Sequence, residues 1–159
     1  METDPTAASQ TSPSDQPDPA TTAVQNVARV VLGAALVYAG IGHLSWSRTE
    51  FLAQVPDWMP LDSDLVVILS GVVEIALGSA LIVLVRHRVL LGWVAAAFFI
   101  AVFPGNISQF IDGDNAFGLE SDTARAVRLL FQPLLVAWAL WSTGAWSAWR
   151  ASRKRRPVS

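Results

Sequence analysis

Four long apolar stretches alternate along the chain with short polar or charged ones. They cover about residues 24–45, 65–85, 89–107 and 123–145. The second stretch, LVVILSGVVEIALGSALIVLV, would be roughly 30 Å long as an α-helix, which matches the hydrocarbon core of a bilayer. The pattern therefore predicts an all-α fold, an integral membrane four-helix bundle in which each stretch is one span.

The connections between the predicted spans are short. Residues 47–62, which carry Trp58 between two prolines, are too few to cross a membrane and predict a short interfacial segment lying on it. The turn at residues 86–88 is so tight that the second and third spans must run side by side in opposite directions. Pro104 is expected to kink or end the third span, because proline lacks a backbone donor.

Both ends of the chain differ from its apolar middle. Residues 1–23 are rich in Pro, Ser, Thr, Asp and Gln without apolar periodicity, which predicts a disordered tail. Residues 24–149 then form one transmembrane domain, and residues 150–159 form a basic tail. Most Lys and Arg residues lie on the side of the bundle that holds both tails and the 86–88 turn. The positive-inside rule places that side, and with it both termini, in the cytoplasm.

The composition is typical of a membrane protein. Hydrophobic residues make up 52% of the 159 residues and the mean hydropathy is +0.41, which is too apolar for an ordinary soluble domain. The formal net charge of −2 combines an acidic N-terminal tail with a basic C-terminus, so the expected partner is the lipid bilayer and not nucleic acid. Because the chain has no cysteine, no covalent cofactor is expected, and a redox role would need a bound cofactor or a partner protein.

One acid interrupts the second span. Glu74 lies near its midpoint, where a charge costs on the order of 3 kcal/mol, so we expect other helices to shield this side chain. Gly71, Glu74 and Gly78 share one helical stripe, and small residues let a neighbouring helix approach closely. Glu74 is therefore predicted to face the inside of the bundle.

Polar residues on the other three spans reach the same half of the bundle. His43 and Asn106 lie just inside the outer boundary, while Arg128 and Gln132 lie about one and two turns deep on the fourth span. One interpretation is an outward-opening polar pocket for a ligand, with Glu74 at its floor. The alternative is a buried polar network that sets the helix register, in which Arg128 or Gln132 satisfies Glu74. No residue is assigned a catalytic role.

Metal and haem sites have little support in the sequence. His43 and His87 lie near opposite faces of the predicted bundle, which excludes a haem with two axial histidines. His43 and Glu74 alone make a weak ligand set, and the HExxH, Walker, GxGxxG and GxSxG motifs are absent. We expect no metal.

A series of short motifs follows the chain: AGIGH at 39–43, FLAQVPDWMP at 51–60, SGVVEIALG at 70–78, FPGNI at 103–107, and Arg128 and Gln132 before Trp138. In this order they resemble the DoxX family of small four-span bacterial membrane proteins, over about residues 33–141. Leu44 and Gly105 depart from that family, which often has Phe and Ala at these positions. The resemblance implies a multi-pass protein of the bacterial inner (plasma) membrane.

The resemblance also implies a functional context. The name-giving DoxX proteins are subunits associated with thiosulfate:quinone oxidoreduction, and other relatives belong to membrane complexes that handle oxidative stress. This implies an association with quinones or with membrane redox subunits, but no particular reaction. The positions that match the polar motif residues of the family are the candidates reached above: His43, Glu74, Asn106, Arg128 and Gln132.

Three functions follow from these observations. In the first, the protein is a quinone-associated accessory subunit of a redox complex, in which His43 or Arg128 binds a quinone carbonyl and Glu74 exchanges the proton. In the second, it is a non-catalytic scaffold or assembly factor that recruits a partner through its tails or loops. The third, a small-solute or proton carrier, is weaker, since one isolated acid and no detectable inverted repeat argue against it. No enzyme activity is assigned.

Overall fold

The computed structural model describes residues 20–52, 54–56, 58–112 and 122–154, which form helices and their connections. The helices are α1 (Ala23–Leu44), α2 (Arg48–Leu52), α3 (Ser63–Val83), α4 (Arg88–Asp112), α5 (Asp122–Ser142) and α6 (Ala145–Lys154), with a 3-10 turn at Val85–His87. The predicted all-α fold is confirmed.

Three helical segments are long and apolar enough to cross a membrane. They are Ala23–Leu44, Ser63–Val83 and Val85–Ser108. A fourth candidate, Leu129–Ser142, reaches this length only together with Ala145–Lys154, from which it is bent by 68°. Three of the four predicted apolar stretches thus form such helices in the described part of the chain, and the last stretch is divided between α5 and the start of α6.

A capping box sets the start of α1. The Thr22 hydroxyl accepts a hydrogen bond from the Gln25 backbone N–H (3.2 Å), and the Gln25 side chain accepts one from the Thr22 N–H (2.9 Å). These reciprocal bonds satisfy donors that the first helical turn leaves unpaired. The helix therefore begins at Ala23, the last residue of the predicted tail, and residues 1–19 of that tail lie outside the described residues.

Helices α1 and α3 pack as antiparallel neighbours through glycines. Gly33 lies opposite Gly78 and Gly40 lies opposite Gly71; a Cβ added to Gly33 would be 2.7 Å from the Gly78 carbonyl oxygen. The two backbones approach so closely that there is no room for a side chain at these four glycine positions. Glu74, between the two glycines of α3, is buried with 9% of its surface exposed.

Helices α4 and α5 form a second antiparallel pair. A shared core joins the two pairs and consists of Leu32, Leu36, Leu77, Leu81, Ala95, Phe99 and Ala139. The Trp138 indole N–H also donates to the Ala28 carbonyl (3.1 Å), which ties α5 to α1. We call the end of the molecule where α1 and α4 begin the basic end, because Arg29, Arg86 and the arginines of α6 lie there; the opposite end is the cap end.

Arg29 is buried near the basic end. Its Nη1 donates hydrogen bonds to the carbonyls of Leu81 and, at 3.4 Å, Ile82 in the last turn of α3. Carbonyls at that position lack helical partners, and the C-terminal end of a helix attracts positive charge. In the sequence, Arg29 counts only among the basic residues that orient the spans. Its buried contact could not be predicted, because the partner carbonyls belong to another helix.

Pro104 lies inside α4, which continues to Asp112. Of the two expected effects of this proline, a kink or an end, the structure does not show the end. Proline removes one backbone donor, but neighbouring helices can supply hydrogen bonds to the freed region. Here Gln132 of α5 donates from Nε2 to the Phe99 carbonyl, about one turn before the proline.

The chain breaks between α5 and α6. Gly144 has a φ of 74°, in the left-handed region that favours glycine, and α6 turns by 68° away from the direction of α5. The apolar stretch over 123–145 therefore extends past the end of α5 at Ser142. Residues 150–154 of the predicted basic tail belong to α6, and residues 155–159 lie outside the described residues.

Candidate ligand-binding site

A cavity of about 560 Å³ lies between the α1/α3 pair and the α4/α5 pair, toward the cap end. Its volume is in the range of small-molecule sites, which is about 300–1,000 Å³. Most of the lining side chains are apolar. The polar ones are His43, Gln54, Ser70, Glu74, Asn106 and Gln132. The site is thus an apolar cavity with a few polar groups, where the sequence predicted a polar pocket.

His43 and Glu74 form a buried pair on the α1/α3 wall. His43 Nδ1 lies 3.4 Å from Glu74 Oε2 and 3.1 Å from Ser70 Oγ. The Ser70 hydroxyl also bonds the Val67 carbonyl (3.0 Å), so it can donate there and accept from a protonated Nδ1. The Phe51 ring meets the imidazole edge-on, with 3.4 Å between ring centroids.

The Glu74 carboxyl is a buried polar group of the cavity wall. Within the described residues its Oε2 makes no hydrogen bond and its one ionic neighbour is His43. An isolated carboxylate in apolar surroundings is costly, whereas a carboxyl beside an imidazole can hold one proton jointly with it. The pair can therefore offer a proton to a polar atom that enters the cavity.

Asn106 and Gln132 form a second polar pair, on the α4/α5 wall. Asn106 Nδ2 donates to Gln132 Oε1 (3.0 Å), and Gln132 Nε2 donates to the Phe99 carbonyl. Gln132 is buried and its amide is used at both ends. The Asn106 amide uses one of its two N–H groups in the described contacts, so one N–H and its oxygen remain for a ligand.

The structure thus places four of the five predicted site residues on one cavity. His43 pairs with Glu74, Asn106 pairs with Gln132, and all four line the same space. Gln132, one of the two residues that the register network offered to Glu74, is bound instead to Asn106 and the Phe99 carbonyl. Arg128 lies one turn before Gln132 on α5, and its side chain is outside the described residues.

Sequence reasoning missed the contribution of the connection between α1 and α3. We call residues 45–62 the cap segment; its described residues that line the cavity are Phe51, Gln54, Val55, Pro56, Trp58 and Met59. The segment was predicted to lie on the membrane, yet it also covers one end of the cavity. Residues 47–62, with two prolines, have too little periodicity to indicate which side faces protein, and the apolar Phe51, Leu52 and Val55 were the only signal.

Two contacts hold the cap segment in place. At its start, Arg48 Nε donates to Asp64 Oδ1 (2.9 Å) and Nη2 donates to Oδ2, a bidentate ion pair with the first turn of α3. This hydrogen-bonded carboxylate raises the pKa of Arg48 above its usual range. In its middle, the Gln54 backbone carbonyl lies so close to Gly105 that a Cβ there would be 2.8 Å from the oxygen.

Replacing Gly105 with alanine is expected to push the cap segment off α4. The added methyl would clash with the Gln54 carbonyl oxygen. This is a backbone atom, so the clash is relieved only if the backbone of the cap segment moves. Hydrogen exchange should become faster in residues 46–59 and stay unchanged in the cores of α1 and α3. Gly42→Ala is the matched control, since its Cβ would sit at ordinary contact distance, 3.6 Å from Trp46 Nε1 and 3.8 Å from the Phe51 ring. Equal exchange in both variants would contradict the contact.

The described residues hold no group of three His, Cys, Asp or Glu side chains that could bind a metal ion. Among the described residues, His43 and Glu74 form a carboxyl–imidazole pair in the cavity, and Ser70 is its polar neighbour. These side chains can offer a ligand hydrogen bonds and a shared proton.

A family model described as a domain of unknown function (DUF8561) matches residues 32–143, well over half of the chain. No curated protein and no solved structure matches the chain. The expected membership of the DoxX family is wrong, because the family that matches is a different one. The motifs behind that resemblance are short and use the small and aromatic residues common to closely packed membrane helices, so they recur without kinship. The resemblance therefore no longer supports a function for this chain.

Proposed function

The chain belongs to the DUF8561 family, and from its own geometry we propose that it is a multi-pass membrane protein that binds a quinone head group in the cavity. The observation that carries this proposal is the His43–Glu74 pair, a proton-holding pair buried in an otherwise apolar space. With no cysteine in the chain, the bound quinone would take its electrons from a partner redox protein.

Membrane insertion as a four-helix bundle is supported by the outward faces of the helices. Large apolar side chains are exposed along them: Val30, Val31 and Ile41 on α1, Leu65, Leu69 and Val72 on α3, Leu90, Val94 and Ile100 on α4, and Leu130 and Leu134 on α5. Soluble monomers rarely expose so much contiguous apolar surface. A bilayer would cover these faces while the polar groups stay inside.

Tryptophans and basic residues support the orientation with both termini in the cytoplasm. Trp46 and Trp58 are exposed at the cap end, and Trp93, Trp146 and Trp149 are exposed at the basic end. Such rings favour the head-group level on both sides of a membrane. The basic end, with Arg86 and the arginines of α6, is then the cytoplasmic one, and the cavity lies toward the other side.

A quinone fits the groups that line the cavity. It has a flat, uncharged ring with two carbonyl oxygens that accept hydrogen bonds, and its apolar tail partitions into the hydrocarbon core of the bilayer. The proton shared by His43 and Glu74 can form a hydrogen bond to one carbonyl oxygen. The remaining N–H of Asn106, on the α4/α5 wall, can donate a hydrogen bond to the other. An anionic head group, in contrast, would meet the carboxyl of Glu74.

The test is quinone titration of the full chain in nanodiscs, using short-chain ubiquinone and menaquinone analogues. Glu74→Gln keeps the size of the side chain but cannot share a proton with His43, so we expect an affinity at least about tenfold lower. Glu50→Gln is the matched control, since Glu50 lies on α2 and does not line the cavity. Unchanged affinity in Glu74→Gln, or no saturable binding to the wild type, would refute the proposal.

A further inference from the structure

The last helix, α6, has a different surface from the helices before it. Its ten residues, AWSAWRASRK, hold no acid and three basic residues, and of these ten only Ala145 is buried. Trp146 and Trp149 are exposed by 44% and 36%, and their rings pack together with 5.0 Å between centroids. The helix contacts α4 and α5 through its start and leaves the rest of its surface uncovered in the described structure.

The tryptophans and arginines of α6 share one face. Positions 146, 149, 150 and 153 are three, four and seven residues apart, which places them along a single stripe. The Arg150 guanidinium lies 5.7 Å from the centre of the Trp146 ring, and the Arg153 guanidinium lies 4.6 Å from that of Trp149. Each cation is thus held over an indole face, an arrangement that steadies both side chains.

The direction of α6 suits a membrane surface. The helix is bent by 68° from α5 at the basic end, so if α5 crosses a bilayer, α6 runs close to its plane. Indole rings favour the head-group level, and guanidinium groups pair with phosphate oxygens. We propose that α6 is an interfacial helix that binds anionic phospholipids of the leaflet at the basic end. This rests on the membrane insertion proposed above and not on the quinone.

The charge of α6 favours an anionic lipid over a neutral one. Arg150, Arg153 and Lys154 add three positive charges with no acid among them, and basic residues near an anionic surface each strengthen binding. A basic and aromatic stripe can also bind single-stranded nucleic acid. The attachment of α6 to the end of an apolar bundle favours the bilayer, because the head groups lie within reach of the stripe.

The test uses the full chain in nanodiscs that contain brominated phosphatidylglycerol or the same fraction of brominated phosphatidylcholine. The signal of Trp146 and Trp149 is the difference in fluorescence between wild type and the Trp146→Phe/Trp149→Phe variant. We expect at least about twofold stronger quenching of this signal by the anionic lipid. Replacing Arg150, Arg153 and Lys154 together with glutamine should remove the preference, while Arg86→Gln, a basic residue of the exposed turn at the same end, should keep it.

The outcomes separate this proposal from the quinone proposal. Equal quenching by the two lipids, or no quenching by either, would overturn the role of α6 while leaving quinone binding to be judged by its own titration. Binding of single-stranded nucleic acid, together with equal quenching by the anionic and the neutral lipid, would overturn the lipid-binding role of α6 in favour of another partner. A chain that does not incorporate into nanodiscs would overturn the membrane insertion and this inference with it.

Discussion

Replacing Gly40 with alanine is expected to lower the free energy of unfolding by about 2–3 kcal/mol, the upper part of the range for overpacking a tight interface. The new Cβ would lie 2.6 Å from the Gly71 carbonyl oxygen, 2.8 Å from Ile75 Cγ1 and 3.0 Å from Glu74 Cβ. The first of these is backbone, so no change of rotamer relieves it. Helices α1 and α3 would have to move apart.

Thermal unfolding of the reconstituted protein measures this effect. Gly42→Ala is the control, because it adds the same methyl to the same helix at ordinary contact distance, 3.6 Å from Trp46 Nε1. Alanine is the better helix former, so the control should be neutral or slightly stabilising. Because the separation of the helices would also displace Glu74 from His43, Gly40→Ala should weaken quinone binding too. Equal stability of the two variants would contradict the close approach of the backbones.

Replacing Gln132 with leucine is expected to destabilise the protein by about 2 kcal/mol, since it leaves the Asn106 amide and the Phe99 carbonyl without their partner. The effect is large because Gln132 is buried, and buried polar groups that lose a hydrogen bond keep the cost of their desolvation. The lost hydrogen bonds join α4 and α5, so the Gln132→Leu substitution should not change the α1/α3 interface.

A double-mutant cycle with Asn106→Leu isolates the contact between the two amides. The double variant should be less unstable than the sum of the single ones, with a coupling of about 1 kcal/mol. Additive losses would show that the two amides do not support each other. The same cycle run between Gln132→Leu and Glu50→Gln should be additive, because Glu50 lies on α2, away from both.

The long helices could be predicted because their signal is local. A run of about 20 apolar residues in α1, α3 and α4 indicates a helix of bilayer length whatever its neighbours are, and the Thr22–Gln25 capping box is contained within four residues. The effect of Pro104 could not be decided in the same way. Its local signal allows a kink or an end, and the hydrogen bonds of α5 that accompany the continued helix come from 28 residues further along the chain.

For the candidate site, the sequence indicates the depth of the polar residues but not their contacts. Depth along each span follows from residue counting, so His43, Glu74, Asn106 and Gln132 could be assigned to one half of the bundle. The partners depend on how each helix is rotated about its axis. The structure joins His43 to Glu74 and Gln132 to Asn106, so the predicted alternative in which Gln132 satisfies Glu74 does not hold.

By itself, the sequence determined that the described chain is helical, that three or four helices are long and apolar enough to cross a membrane, and which polar residues lie at similar depth. Only the tertiary structure decided that the cap segment closes over an apolar cavity, that Gly105 makes room for the Gln54 carbonyl, and that α6 turns aside at Gly144. The physical reason is range: hydrophobicity and capping act within one helix, whereas a cavity and its pairs arise from the packing of residues that are far apart in the chain.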